Sequence, residues 1–129
     1  MALWTPKTWT GLAALNGLCA VGMGAFAAHG VTSPKVIDWL HTGSTYQMYH
    51  ALAVLAALGL RRAGVRSMGP VAALFFLGTL LFSGSLYALA FGAPKILGAV
   101  APVGGGAFML GWLVLAWRAF TLRPAKAQA

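Results

Sequence analysis

Five of the polar side chains within the long apolar segments of this sequence are candidates for a functional role, because a polar group is unusual there. They are two amides, one imidazole and two hydroxyls, which donate and accept hydrogen bonds, and the imidazole can also take up a proton. Because such groups cost free energy to bury without a partner, each one marks either a contact between helices or a functional site. The five candidate residues are Asn16, Gln47, His50, Ser83 and Tyr87.

Helical spacing predicts that several of these residues lie together. Gln47 and His50 are three residues apart, and Tyr46 and His50 are four apart, which places all three on one face of a helix. At a rise of about 1.5 Å per residue, His50 and Tyr87 lie at a similar depth. We therefore expect one network. In its simplest form the network only joins helices, and each hydrogen bond contributes about 0.6 to 2 kcal/mol.

A second group of polar and aromatic residues falls at the outer boundary of the apolar segments. Aromatic side chains with one polar end favour a membrane interface, where this rim could dock a partner or lipid headgroups. Asp38, the single acidic residue, is expected to pair with Lys35 or His41. The candidate residues of this outer interface are His29, Asp38, His41, Tyr46 and Tyr49.

Two sharper hypotheses use the same residues. A metal or haem site would take His29, His41 and His50 as ligands, but their intervals of twelve and nine residues fit no recognised ligand pattern. We therefore predict no metal and no cofactor. A proton or ion path would use His50 and Asn16 with Tyr87, although the inner half of the chain offers no second titrating group for a relay.

Enzymatic signatures are missing from the sequence. It contains no GxSxG, no HExxH and no phosphate-binding GxxxxGK motif. One acidic residue in the whole chain leaves no pair of carboxylates for hydrolysis, and one cysteine, Cys19, leaves no internal disulfide. We predict that the protein is not an enzyme.

The composition explains why polar residues are so rare. Of the 129 residues, 60% are hydrophobic and 8% are charged, whereas an ordinary soluble domain has about a quarter charged residues. This chain is too apolar for a disordered protein. Its nine Lys or Arg are scattered between apolar runs and form no basic stripe, so we predict no binding to nucleic acid. Lipid is the expected solvent.

Four apolar stretches have about the length of a membrane span, which is roughly 20 residues. They cover residues 9–28, 43–60, 69–91 and 99–120, so we predict an all-α bundle of four transmembrane helices in a single integral membrane domain, 1–129. The second stretch is marginal because its first half is polar. Ser33 before Pro34 resembles a helix start, and a short interfacial helix over residues 34–41 is expected to lead into the second span.

Basic residues predict the orientation, because cytoplasmic segments carry an excess of Lys and Arg. The loops on the other side contain only Lys35 and Lys95. The expected cytoplasmic side also includes the aromatic anchors Trp4 and Trp9 near the N-terminus. Both termini are therefore predicted to be cytoplasmic. The residues on that side are Lys7, Arg61, Arg62, Arg66, Arg118, Arg123 and Lys126.

Small residues recur at a spacing of four, which suits helices that pack closely in lipid. Ala13 and Gly17 form one such pair, and Ala107 and Gly111 form another. Similar loops at residues 30–37 and 92–97 suggest two tandem helical hairpins in parallel orientation. An alternative interpretation makes the N-terminal segment a cleavable signal peptide, although its apolar run is longer than a typical signal core.

Four motifs make this sequence similar to the YgdD/YwdK-type family of small membrane proteins. They are GAFAAHG at 24–30, TGSTYQMYHALA at 42–53, FSGSLYAL at 82–89 and the glycine-rich stretch 102–111 before Trp112. The resemblance covers nearly the whole chain and includes a small mitochondrial relative in eukaryotes. It implies an inner-membrane protein with four spans and no established activity, so no site residues are carried over. Ala27 stands where the family usually has Gly.

The function predicted from these features is interaction rather than catalysis. We expect a small accessory subunit of the bacterial inner membrane that binds a larger membrane complex or lipid, or that forms a homo-oligomer. An alternative is an oligomeric transporter or channel with a polar path through His50 and Asn16. A metal-binding or haem-binding membrane subunit is the third hypothesis.

Overall fold

The computed structural model describes residues 5–122 and is helical almost throughout. Its helices are α1 (Pro6–His29), α2 (Pro34–Arg62), α3 (Met68–Ala90) and α4 (Ala101–Phe120), with one 3-10 helix at Lys95–Ala99 before α4. The described part of the chain contains no strand. The prediction of an all-α chain with four long helices is confirmed.

Among the described residues, three segments are long and apolar enough to cross a membrane: α1, α3 and the segment Lys95–Phe120 that includes α4. By composition α2 is not among them, because polar residues fill its first half. A second span at 43–60 therefore stays a prediction.

The helix α2 differs from the expected arrangement. A separate interfacial helix over residues 34–41 was expected, but α2 runs without interruption for 29 residues from Pro34 to Arg62. Pro34 does occupy the first turn, as predicted. The helix continues through the polar stretch at Gly43, which packs against the Tyr87 ring so closely that a Cβ on Gly43 would stand 2.7 Å from Tyr87 Cε1. The residues 34–41 are thus the first two turns of one long helix.

The helices pack in chain order. Helix α1 lies on α2, α2 on α3 and α3 on α4, so α2 and α3 form the centre and α1 and α4 the flanks. The best-buried large side chains are Phe75, Met68 and Val71 on α3 and Leu40 on α2. The ring of Trp9 meets Phe76 edge-on at 5.8 Å.

Small residues determine where the helices approach closely, as their spacing predicted. Ala13 on α1 is buried, and Gly24 faces the hydroxyl of Ser44 with 3.5 Å between Oγ and an ideal Cβ. Gly111 on α4 leaves room for the Phe75 ring. Gly17 is an exception, since nothing lies within 4 Å of the Cβ position there.

One end of the bundle carries most of the positive charge. The start of α1, the end of α2, the α2–α3 loop and the last turn of α4 meet there, and they bring Lys7, Arg61, Arg62, Arg66 and Arg118 to one side. Asp38 lies at the start of α2, at the opposite end. Trp4, Arg123 and Lys126 lie outside the described residues. Which side of a membrane this end faces stays a prediction.

Candidate functional site

A chain of hydrogen bonds connects α1, α2 and α3 through the side chain of Gln47. The Tyr87 hydroxyl donates to Gln47 Oε1 at 2.6 Å, and Gln47 Nε2 donates to Asn16 Oδ1 at 2.9 Å. Asn16 Nδ2 in turn donates to the backbone carbonyl of Leu12 at 3.0 Å. Because Gln47 is buried, both ends of its amide need these partners. Three of the five predicted residues, Asn16, Gln47 and Tyr87, thus form one chain of hydrogen bonds, which we call the relay.

Ser83 joins α3 to α2 by a separate contact close to this relay. Its hydroxyl donates to the carbonyl oxygen of Gly43 at 2.7 Å, and the Ser83 side chain is fully buried. The absence of a side chain at Gly43 lets α3 approach this closely. The Ser83 contact and the Tyr87 relay therefore hold the same two helices together at neighbouring positions.

His50 does not join that relay and instead faces α4. Its ring stacks on Phe108 with 3.5 Å between centroids and an interplanar angle of 7°. The indole Nε1–H of Trp112 donates to His50 Nε2 at 3.1 Å. The carbonyl of Tyr46, one turn earlier on α2, lies 2.7 Å from His50 Nδ1.

These two partners fix the tautomer of His50. A carbonyl oxygen only accepts and an indole N–H only donates. Nδ1 must therefore carry the proton that bonds to Tyr46, and Nε2 must be the acceptor for Trp112. In this arrangement His50 is neutral and both ring nitrogens are occupied.

The expected single network is thus wrong in one respect, since His50 belongs to a second set of contacts. Three residues along a helix leave a difference in direction of about 60°, enough for Gln47 to point toward α1 and α3 while His50 points toward α4. Trp112 and Phe108 were not among the site residues predicted from the sequence. An available signal was that an indole at membrane depth needs a hydrogen-bond acceptor.

An open apolar groove lies where His50 meets α4, and we call it the α2–α4 groove. Its volume is about 480 Å³, and apolar and aromatic side chains form most of its wall. Trp112 is 48% exposed and Met109 is 75% exposed, so the groove is accessible from the side of the bundle. Its lining residues are Tyr46, His50, Phe82, Pro102, Gly105, Gly106, Phe108, Met109 and Trp112.

The outer-interface candidates lie at the expected end but do not form one cluster. His29, Asp38 and His41 are all exposed. The expected pairing of Asp38 is wrong for the described residues, where it makes no ion pair; the Nζ atom of Lys35 lies 5.0 Å from the centre of the Trp39 ring instead. An exposed carboxylate is solvated by water and gains little from such a pair.

Tyr46 and Tyr49 are also exposed, and their ring centroids are 6.1 Å apart. Tyr46 additionally packs against Phe82 at 4.9 Å and so connects the outer group with the α2–α4 groove. Between residues 5 and 122, no three His, Cys, Asp or Glu side chains gather as a possible metal site. The three histidines of the metal hypothesis are therefore not brought together.

Comparison with known proteins identifies the family of this chain. A family described as "Protein of unknown function (DUF423)" matches residues 23–105. The "UPF0382 membrane protein" of Haemophilus influenzae is 44% identical over 113 residues, which is 84% of this chain and 90% of that protein. No solved structure matches the chain.

Two further relatives have the names, YwdK and YgdD, of the family type that the sequence motifs resemble. The "UPF0382 membrane protein YwdK" of Bacillus subtilis is 44% identical over 114 residues, covering 84% of this chain and 93% of that protein. The "UPF0382 inner membrane protein YgdD" of Escherichia coli is 36% identical over 115 residues, covering 86% and 88%. The chain is a multi-pass membrane protein and belongs to the UPF0382 (DUF423) family.

Proposed function

We propose that this protein is a small, non-catalytic subunit of the inner membrane that binds a helix of a larger membrane protein in the α2–α4 groove. Both of its termini face the cytoplasm in this proposal. The observation that carries it is the groove itself, which is open at the side of the bundle and has backbone as part of its wall. A groove in that position faces lipid or another membrane protein.

The glycines of α4 favour a helix over a lipid chain as the occupant. Gly106 is exposed and nothing lies within 4 Å of its Cβ position, while Gly105 meets only the edge of the Phe82 ring at 4.0 Å. Bare backbone of this kind lets a second helix approach closely, which is how helices associate in lipid. A flexible acyl chain has no need of such a surface.

The polar side chains inside the bundle support the same proposal, because their hydrogen bonds are already made within the protein. Gln47 binds Asn16 and Tyr87, and His50 binds Tyr46 and Trp112, so these side chains hold the bundle together. Aromatic anchors in well-packed pockets commonly dominate binding energy. Tyr46 of α2 and Trp112 of α4 both line the groove and would serve as such anchors.

Site-specific photocrosslinking in native membranes tests this proposal. A photoreactive phenylalanine analogue replaces Met109 in the groove or, as a control, the 70% exposed Leu18 on the outer face of α1. We expect Met109 to give one discrete adduct with a larger multi-pass protein, identified by mass spectrometry, and Leu18 to give none. Gly106→Ile should abolish that adduct, whereas Ala14→Ile on α1 should leave it unchanged.

Three results would overturn the proposal. Adducts with lipid alone would show that the groove only accommodates an acyl chain. Adducts of twice the chain's mass would show a homo-oligomer. A discrete adduct that survives Gly106→Ile would place the partner elsewhere.

A further inference from the structure

The basic end of the bundle contains a cleft that the groove does not include. Two arginines and the turns that carry them form its wall, and its volume is about 380 Å³. Arg66 comes from the α2–α3 loop and Arg118 from the last turn of α4. The lining residues are Gly64, Val65, Arg66, Arg118, Thr121 and Leu122.

Arg118 is only partly satisfied within the protein. Its guanidinium carbon lies 4.8 Å from the centre of the Trp117 ring, which contacts one face of the group. Its Nε atom is buried and has no hydrogen-bond partner in the described part of the chain. A buried donor without a partner is uncommon in proteins, so the contacts within the described residues leave this guanidinium incompletely hydrogen-bonded.

The loop that carries Arg66 is fixed by its own backbone. Val65 N–H donates to the carbonyl of Leu60 at 3.0 Å, and Gly64 N–H donates to that of Arg61 at 3.0 Å. Gly64 has a φ of +90°, which a glycine adopts without strain. The Val65 side chain is buried in the core. This turn therefore holds the position of Arg66 beside the end of α4.

The protein itself offers no side-chain carboxylate to this cleft. Asp38 is the single acidic residue of the sequence, and it lies 24 residues before Arg62 on the same helix, a distance of about 36 Å. The Thr121 hydroxyl is also engaged, since it donates to the carbonyl of Trp117 at 2.9 Å. Within residues 5–122, two arginines thus line one cleft without an anion.

We propose that this cleft binds a phosphate group through Arg66 and Arg118, and that the group belongs to the headgroup of an anionic phospholipid. Guanidinium groups match phosphate oxygens with two parallel hydrogen bonds. Lipid is the expected source because the cleft lies where α3 begins and α4 ends, and both helices belong to segments apolar enough to cross a membrane, which puts the cleft at the expected headgroup depth. The leaflet that would supply it is the cytoplasmic one. This inference does not depend on the α2–α4 groove.

Native mass spectrometry of the full chain in a neutral detergent tests the proposal. Phosphatidylglycerol, phosphatidylcholine or inorganic phosphate is added, and the bound fraction is measured for each. We expect phosphatidylglycerol to bind more tightly than the other two. Arg118→Gln and Arg66→Gln should each weaken its binding by about tenfold, as expected for the loss of a charge-assisted hydrogen bond to phosphate. Arg62→Gln, at the same end but outside the cleft, is the control.

Equal losses in Arg62→Gln and Arg118→Gln would overturn the proposal, because they would show a general attraction to positive charge. Inorganic phosphate binding as tightly as phosphatidylglycerol would overturn the lipid source. If Arg118→Gln lowers the thermal stability in neutral detergent, Arg118→Lys serves instead. Lysine keeps the positive charge but lacks the planar guanidinium that makes two parallel hydrogen bonds. We therefore expect Arg118→Lys to weaken phosphatidylglycerol binding by a smaller factor than Arg118→Gln.

Discussion

Gly104 of α4 lies directly against the backbone of Phe82 on α3. A Cβ added to Gly104 would stand 2.3 Å from the amide nitrogen of Phe82 and 2.8 Å from its Cα. The opposite contact is equally close, since a Cβ on Gly78 would stand 2.4 Å from a ring carbon of Phe108. The α3–α4 contact therefore depends on two glycines that face each other's helix.

Gly104→Ala is expected to lower the free energy of unfolding. The added methyl group meets backbone, which no change of rotamer can move, so we expect a loss at the upper end of the range for overpacking, about 1–3 kcal/mol. Unfolding in mixed detergent micelles gives the value. Gly106→Ala is the matched control on the same helix, because nothing lies within 4 Å of its Cβ position. The control should be neutral or gain up to about 1 kcal/mol. Equal stabilities of the two variants would contradict the close contact.

Tyr87→Phe is expected to destabilise the protein by about 0.6 to 2 kcal/mol, because it leaves Gln47 Oε1 without its donor. Asn16→Ala removes the partner at the other end of the same amide. Since both act through Gln47, the double variant should deviate from the sum of the single ones by at least about 0.5 kcal/mol. Unfolding free energies of the four proteins measure this coupling.

Ser85→Ala provides the control for that cycle. The Ser85 hydroxyl donates only to the carbonyl of Phe82 in its own helix, at 2.9 Å. In the double variant with Asn16→Ala, the two changes in the free energy of unfolding should add to within about 0.5 kcal/mol. If the changes in unfolding free energy of Tyr87→Phe and Asn16→Ala were also additive, the relay would not act as a unit.

The proton of the neutral His50 ring is expected on Nδ1. Nitrogen NMR of selectively labelled protein distinguishes the two tautomers, and at neutral pH it should show Nδ1 protonated and Nε2 as an acceptor. Trp112→Phe removes the indole donor and should shift the Nε2 signal while Nδ1 changes little. The exposed His41 serves as an internal reference with mixed tautomers. A proton found on Nε2 would be incompatible with the Trp112 contact.

Orientation can be tested by labelling single cysteines in a Cys19→Ser background. Thr32→Cys and Ala63→Cys are both at exposed loop positions, at opposite ends of the bundle. If the basic end is cytoplasmic, a membrane-impermeant maleimide should label Thr32→Cys in intact spheroplasts and Ala63→Cys only after permeabilisation. The reversed pattern would place the termini outside.

Apolar runs were sufficient to predict four helices, because each helix that faces lipid must present apolar residues along most of its length. The continuity of α2 was not predictable in this way. Its first turns, with Asp38 and His41, have the composition of a surface segment, and only contacts such as Ser83 to Gly43 show that the helix continues. Those contacts join residues that are distant in the sequence.

The candidate site was partly predictable for a related reason. The energetic penalty of burial selects polar residues, so Asn16, Gln47 and Tyr87 could be chosen without a structure. Their partners depend on the rotation of each helix, which periodicity does not fix in a helix that is apolar on most sides. His50 was consequently assigned to the wrong neighbours, and the contribution of Trp112 and Phe108 was missed.

The order in which the helices pack has a consequence for synthesis. Each helix contacts the one made just before it, so a newly made helix finds its main neighbour already present in the chain. The polar bonds follow the same order: Asn16 receives Gln47 when α2 arrives, Gln47 receives Tyr87 with α3, and His50 receives Trp112 last. Until α4 is made, Nε2 of His50 lacks its Trp112 donor. A chain that ends before α4 is therefore expected to leave this acceptor open to a donor from another protein.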